Sequence, residues 1–480
     1  MADLFGTIDI GSTNCKIGVF DEGATFLYRD VCPLATQASG LNGEIDPSEI
    51  WETVSGLLGR IPVRIKRRLL TICAIGQGPT IVPVNRSGQP LHQAITWLDG
   101  RGKERIPVLI DQGVDPQLAA GLSVLEWLKE ELREPAVLLQ PADYVAYRLT
   151  GRLANMSYPF VGYLPWSEKA LEDRGWSPAF LIPELVEPGC PFSHLTREAV
   201  DRFGLSPETL LVAGAPDFVA ALIGTETLED GFLCDRGGSS QGVTLCSKRE
   251  AFPPGLMTTP FFTPELWKIS AIMNTTGIAL EWFCRKILGQ PFELAMEKAA
   301  GCATPTKILF LPYLSGERSP HWDNQAKGVF WGLTLDSDAA RMTVAILESV
   351  GYAIADAIER MEHAGCVIKR IRTTGKQALN PLWNQTKSDI LGRAVEVPEI
   401  RESELWGGAL LSMKAFSNGD LALLSREKTR VGQTYFPDPQ KHSIYKELLS
   451  MFQSLYTANK PLFAQRAHID PARDPTAKRD

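Results

Sequence analysis

TIDIGSTNCKIGVFD, residues 7–21, is the stretch on which the fold turns. Thr7, Ile8 and Ile10 favour extended backbone, Gly11-Ser12-Thr13-Asn14 interrupts it, and Ile17, Val19 and Phe20 resume it before Asp21-Glu22-Gly23 turns the chain again. The spacing predicts a β-hairpin with a carboxylate, Asp9, just ahead of its turn. Gly11 is expected to take a positive φ and to let the backbone approach a ligand, while Ser12 and Thr13 bring hydroxyls and N–H donors to the same point. Asp9 lies about 3 Å of chain per residue from those donors, close enough to hold a hydrated Mg²⁺ against a phosphate. A lone Asp-x-Gly-Ser/Thr stretch is more often an ordinary turn, so the rest of the chain has to carry the argument.

The same pattern returns at residues 232–245, FLCDRGGSSQGVTL. Asp235, Gly237, Gly238, Ser239 and Ser240 echo Asp9, Gly11, Ser12 and Thr13, which predicts two related halves, each contributing a phosphate-approaching hairpin to a shared cleft. Between them, a strand over 210–213 enters Gly214-Ala215-Pro216-Asp217, and Phe218 to Ile223 reads as the start of a helix. Asp217 at that junction is either a helix cap or a carboxylate able to take a proton from a hydroxyl as its oxygen attacks phosphorus. Gln77, in the bend Gly76-Gln77-Gly78-Pro79-Thr80, either presents its amide to a polar ligand or pairs with backbone. Asp99 and Arg101, in Trp97-Leu98-Asp99-Gly100-Arg101, form either a surface ion pair or part of a polar site.

The chain has 480 residues, 44% of them hydrophobic, enough for two to four buried cores. Its net charge of −7, with both signs interspersed, argues against nucleic acid or an anionic membrane as partner. Nine cysteines stand singly with no Cys-x-x-Cys, which fits reduced thiols in a cytoplasm and no structural zinc. No uninterrupted apolar run reaches about 18 residues, and the chain opens on a strand rather than on a leader. No Gly-x-Gly-x-x-Gly follows a strand and no Gly-x-x-x-x-Gly-Lys-Ser/Thr occurs, which disfavours a Rossmann dehydrogenase and a P-loop kinase. Helices are expected from Ile50 to Arg68 behind an Asp46 cap, over 116–133, over 339–364 with Leu347, Val350, Ile354, Ile358 and Met361 on one stripe, and from Pro381 to Leu391. The basic run Arg64 to Arg68 is expected on a solvated helix face, and the charged last residues as a disordered tail.

Taken in order, these motifs resemble the FGGY carbohydrate kinases, and among them bacterial xylulokinases, over roughly residues 5–450. The most specific match is FLPYLSGERSPH, Phe310 to His321, running into AKGVFWGLT, Ala326 to Thr334. IDIGSTNCK, WLDGR, PADYVAYRLTG at 141–151, the Pro216-Asp217 junction, the second Gly/Ser turn and Thr374 to Gln385 support it. The resemblance implies an α/β protein of two actin-like ATPase (ribonuclease H-like) domains around a central cleft. It places a sugar-binding and catalytic domain at 1–227, a nucleotide-binding domain at 228–462 and a disordered tail at 463–480. It implies ATP and Mg²⁺, a small sugar or polyol as acceptor and a cytoplasmic enzyme, with a homodimer left open. By the same resemblance Asp217 is the general base and, with Asp9, a metal ligand. Gln77, Asp99 and Asp217 line the sugar pocket. Ser12, Thr13, Gly238 and Ser239 face the phosphates, and Gly375, Lys376 and Gly407 flank the nucleotide. Where xylulokinases carry Gly-Gln-Met-His-Gly, this chain has Gly76-Gln77-Gly78-Pro79-Thr80. Phe218-Val219 follow the base in place of a polar residue, and the usual glycine run at the adenosine loop is Gly375-Lys376-Gln377. An actin-like ATP switch without sugar kinase activity is the other function open to this fold.

Overall fold

The computed structural model describes residues 3–34, 37–39, 42–96, 99–114, 116–156, 168–261, 263, 265–417 and 419–467. Trp97 and Leu98 of the WLDGR stretch, 157–167 and the end of the tail lie outside the described residues.

The chain forms two compact units. One comprises Met1–Glu226, Pro260–Pro264 and Glu402–Thr429; the other comprises Thr227–Thr259, Glu265–Arg401 and Arg430–Asp480. The first break falls one residue from the expected one, but the second unit is not the continuous 228–462 that the motifs suggest. Glu402–Thr429 packs with the first unit because its helix, Ser403–Lys414, lies against the first strand and against the helix Asp217–Gly224.

In the first unit six strands form one sheet: β1 Leu4–Ile10, β2 Asn14–Asp21, β3 Phe26–Pro33, β4 Leu69–Gly76, β5 Pro191–His194 and β6 Leu210–Val212. Their order is β3-β2-β1-β4-β6-β5, antiparallel across β3-β2-β1, parallel across β1-β4-β6, and antiparallel at β6-β5. Alternation along β1 sends Ile8 and Ile10 into a core with Trp51 and Val54 of the helix Pro47–Arg60. Thr7 and Asp9 go to the other face, where a Cβ on Gly408 would lie 2.3 Å from Thr7 Cγ2. The helix Pro47–Arg60 starts as expected, the Asp46 side chain accepting the Ser48 N–H, but ends before the expected Arg68 because Pro62 interrupts it. The basic run is only partly a solvated face, since Lys66 is buried and its Nζ donates to Gly59 O.

The second unit carries β7 Phe232–Gly237, β8 Gln241–Ser247, β9 Met257–Pro260, β10 Trp267–Met273, β11 Arg370–Thr374, β12 Val395–Pro398 and β13 Val431–Tyr435. Apart from β9 at the edge, the order β10-β8-β7-β11-β12-β13 repeats the first sheet strand for strand and direction for direction. The echo between the two hairpins therefore reflects one topology used twice. The helix Ala339–His363, capped by Asp338, buries Leu347, Val350, Ile354, Ile358 and Met361 with Leu233, Val243, Ile269 and Ile371 of the sheet. A 29-residue helix, Pro439–Ala467, continues into the start of the segment expected to be a disordered tail. Among the described residues no helix is long and apolar enough to cross a membrane.

Candidate active site

The first turn is set by close backbone contact. Gly11 N–H donates to Asn14 O at 3.0 Å, and a Cβ on Gly11 would lie 2.8 Å from that oxygen. Gly11 is not among the residues with positive φ, so glycine is needed here for space and not for a left-handed backbone. Thr13 O accepts the Leu34 N–H, which fixes the turn to the end of β3. Ser12 is half-buried and Thr13 exposed, so both stand at the surface of the turn.

Three parallel strands end side by side next to that turn. Ile10 at the end of β1 is opposite Gly76 at the end of β4, Gly76 bridges Pro216, and Gln77 N–H donates to Ile10 O at 2.9 Å. Asp9, Gln77 and Asp217 are thus brought together at the carboxyl edge of β1, β4 and the strand β6 that leads to Pro216, where open α/β sheets bind ligands. Asp217 opens the helix on the same face of the sheet as Asp9. It is not that helix's cap: the N-cap is Pro216, no side-chain capping bond is made, and Asp217 Oδ1 accepts the adjacent Phe218 N–H at 2.6 Å. Gln77 is 4% exposed, and among the described residues neither its Oε1 nor its Nε2 has a hydrogen-bond partner. It borders a cavity of about 10 Å³ lined also by Gln140, Asp143, Met156 and Pro216. A buried, unpaired carboxamide costs about 1–3 kcal/mol per group, which a hydroxylated ligand would relieve.

Lys16 belongs to this site and was not singled out from the sequence. It is opposite Asp9 in the hairpin register, with Nζ 3.9 Å from Asp9 Oδ2 and 2.9 Å from Glu402 Oε2. Burial disfavours its charge, but Asp9, Glu404 and Glu402 outweigh burial and raise its pKa. The hairpin symmetry would have revealed it, since Asp9 and Lys16 stand equally far from the centre of the turn. Glu402, which also accepts from Arg29 at 2.8 Å, comes from far along the chain and had no local signal.

Asp99 is engaged by several donors of the first unit. Its carboxylate accepts Gly43 N–H and Arg101 N–H at 2.9 Å each, and Arg101 Nε and Nη2 at 3.0 and 2.7 Å. Those bonds occupy its acceptor sites. Burial alone would raise its pKa, but Arg101 and the two backbone donors lower it. Arg101 also pairs with Glu44 at 2.6 Å and lies 4.1 Å over the Trp127 ring. Asp99, Arg101, Gly43 and Glu44 thus form one hydrogen-bonded network.

In the second unit the turn after β7 presents half-buried Gly238 and exposed Ser239. Gly375 follows β11 with φ of +81°, and a Cβ there would lie 2.3 Å from Gly237 O, so the two loops touch backbone to backbone. Lys376 is exposed beside them. Asp235 repeats the position of Asp9 but not its chemistry. It is buried, and it accepts from Lys387 Nζ at 2.6 Å, from Thr373 Oγ1 at 3.0 Å and from the Gln241 amide. Gly407 belongs to the first unit. It is buried in the first unit, where a Cβ would lie 1.9 Å from Ala220 O of the helix Asp217–Gly224, so its role is to let two helices cross.

Residues 4–224 match the N-terminal domain, and residues 236–416 the C-terminal domain, of the FGGY family of carbohydrate kinases. The chain is 27% identical to a gluconokinase of Bacillus subtilis (strain 168), the alignment covering 93% of this chain and 94% of that one. It is 26% identical to a xylulose kinase of Escherichia coli (strain K12), covering 95% and 99%. Among solved structures, a ligand-bound xylulose kinase from Lactobacillus acidophilus superposes with a TM-score of 0.87 at 20% identity, covering 96% of this chain and 99% of that one. A gluconate kinase from the same organism superposes with a TM-score of 0.86 at 19% identity, covering 97% and 100%.

Proposed function

The chain belongs to the FGGY family of carbohydrate kinases, two-domain actin-like enzymes that phosphorylate a sugar or polyol with ATP, and we propose that Asp217 is its general base. The observation that carries this reading is the convergence of Asp9, Gln77 and Asp217 at one sheet edge of the first unit. Phosphoryl transfer is mostly positioning and electrostatics, with a carboxylate accepting the proton of the attacking hydroxyl. A carboxylate at a helix start, engaged on one oxygen by Phe218 N–H, keeps its second oxygen directed by that bond. Gln77 supplies an amide that binds an acceptor hydroxyl. Ser12 and Thr13 in the first unit, and Gly238, Ser239, Gly375 and Lys376 in the second, contact the phosphates and nucleotide. Membership of the kinase family decides against a bare nucleotide switch.

Asp9 and Asp217 would hold Mg²⁺. The donor set fits that ion, which keeps most of its waters and takes one or two carboxylates together with substrate phosphates; among the described residues no cluster of three or more metal-ligating side chains occurs. When bound, the ion offsets the charge of the transferring phosphate. Lys16, held against Asp9 and Glu402, adds a cation at the same edge.

The acceptor is a neutral short ketose or polyol phosphorylated on a terminal primary hydroxyl, with D-xylulose a substrate but not the preferred one. The relatives' names span a sugar acid, a ketose and, for a 28% identical protein of Thermococcus onnurineus (strain NA1), glycerol. A neutral acceptor is favoured because Lys16, a cation at this edge, is already engaged by Glu402. Gly78-Pro79 also replaces the pair that would read a xylulose hydroxyl. We place the enzyme in the cytoplasm, because its nine free thiols suit a reducing compartment. The test is ADP release with D-xylulose, D-ribulose, L-xylulose, L-ribulose, glycerol, erythritol and D-gluconate at equal concentration, with products assigned by mass and NMR. Preference for D-xylulose above about 10³-fold, or for D-gluconate over every neutral acceptor, would overturn the assignment.

A further inference from the structure

Three loops of the second unit meet at the side chain of Gln377. They are the Gly238–Ser240 turn, the segment 275–277 leading into the helix Gly277–Trp282, and the short turn Lys376–Leu379 after β11. Gln377 is 3% exposed. Its Nε2 donates to Gly238 O at 3.1 Å and to Thr276 Oγ1 at 3.3 Å. Ser239 O in turn accepts the Ile278 N–H at 3.0 Å and the Thr276 hydroxyl at 3.4 Å. The backbones are in contact around this amide: a Cβ on Gly237 would lie 2.6 Å from Gln377 Cδ, and one on Gly277 would lie 2.1 Å from Gly238 O. The orientation of the amide follows from its surroundings. Oε1 is buried with no partner among the described residues, and reversing the group would set that oxygen against the Gly238 carbonyl.

We propose that Gln377 is a nucleotide-positioning residue, whose carboxamide sets the Gly238-Ser239 turn against the Gly375 loop so that the backbone donors of both act on one bound ATP. The inference rests on the assignment of that turn to the nucleotide. A row of N–H groups attracts an anion only while the groups are held in a common concavity. Without the amide, the turn has to be ordered by the nucleotide itself, and the penalty falls on ATP binding rather than on the acceptor. Loss of two hydrogen bonds corresponds to roughly a ten- to hundredfold rise in KM for ATP.

The experiment uses Q377M, which keeps the bulk and loses the donor, and Q377E, in which the donor depends on pH. ATP and acceptor are titrated separately, and ligand-free melting is recorded. Q377M is expected to raise KM for ATP about tenfold or more at every pH, with acceptor KM unchanged. Protonated Glu at 377 donates O–H to the Gly238 carbonyl, whereas ionised Glu repels it. Q377E should therefore approach wild-type KM for ATP at acidic pH and lose it as pH rises, a dependence that a merely structural defect does not produce. Equal increases in both KM values, or unchanged KM for ATP in Q377M at unchanged melting temperature, overturn the proposal. Gly238→Ala separates the two levels. If it raises KM for ATP while Q377M is inert, the turn still takes the nucleotide and only the positioning role fails. If neither variant affects ATP, the assignment of the turn fails as well.

Discussion

Gly238 offers a direct test of where the nucleotide phosphates go, because the free protein has room at that residue which a ligand would need. An ideal Cβ on Gly238 meets nothing nearer than Ser240 O at 3.7 Å, an ordinary contact, and Gly238 is not among the glycines with left-handed φ. Alanine therefore fits. By restricting the unfolded chain it should stabilise the protein by about 0.4–1 kcal/mol, a rise in melting temperature of at most about 2–4 °C. The neighbouring glycines behave in the opposite way: at Gly375 a methyl would meet Gly237 O at 2.3 Å with φ at +81°, and at Gly277 it would meet Gly238 O at 2.1 Å. Both of those substitutions should destabilise. A phosphate oxygen bonded to a turn N–H stands about 2.9 Å from the nitrogen, within reach of the added methyl. One lost bond to a charged group, about 1.5–3 kcal/mol, converts to roughly a ten- to hundredfold rise in KM for ATP. The assay is coupled ADP release with ATP titrated at saturating acceptor, alongside ligand-free thermal melts of Gly238→Ala, Gly375→Ala and the wild type. Gly238→Ala with an undiminished melting temperature and KM for ATP within about twofold of wild type would show that no phosphate approaches this turn.

Other outcomes follow from the first unit and from the buried acids. Asp217→Asn keeps an oxygen for the Phe218 N–H but cannot take a proton, so kcat should fall by about 10² or more while nucleotide affinity, read by titration with an ATP analogue, stays near wild type; retained turnover would remove Asp217 from the chemistry. Asp99→Asn places an NH₂ group among the donors of Gly43 and Arg101 and should cost about 2 kcal/mol in denaturant melts with acceptor KM little changed; a raised KM at intact stability would return Asp99 to the sugar pocket. Glu348 accepts from Thr306 and Tyr445, and burial pushes its carboxyl up to about 7 despite those bonds. Because its folded pKa exceeds the ordinary value, the folded protein binds the extra proton, and this group's contribution falls as pH rises from about 4.5 to about 7. Glu348→Gln should flatten the decline in melting temperature over that interval, and an unchanged slope would show that the buried acid is not protonated in the folded state.

What could be read from the sequence was whatever depends on near neighbours along the chain. Period-two alternation and a Gly/Ser break define both hairpins, and their recurrence anticipated a topology that the two sheets repeat in order and direction. The strand-to-helix junction placed Asp217, and the register of one hairpin would have placed Lys16 opposite Asp9. The chemistry of a carboxylate, in contrast, depends on partners that arrive from elsewhere. Asp9 and Asp235 occupy equivalent positions, yet Asp235 is closed by Lys387, 152 residues away, from the helix Pro381–Leu391. Asp99 is closed partly by Gly43, 56 residues earlier, in a segment that no pattern links to WLDGR. Glycines are ambiguous for the same reason. Gly238 leaves open space and Gly407 is filled by the backbone of a crossing helix, although each stands in a Gly-Gly pair. A small residue records only that something comes close, and the choice between ligand and helix is made by packing over hundreds of residues. The same dependence explains Gln377: in the sequence it interrupts an expected glycine run, whereas in the fold its amide reaches the Gly238 carbonyl 139 residues away and ties the two loops together.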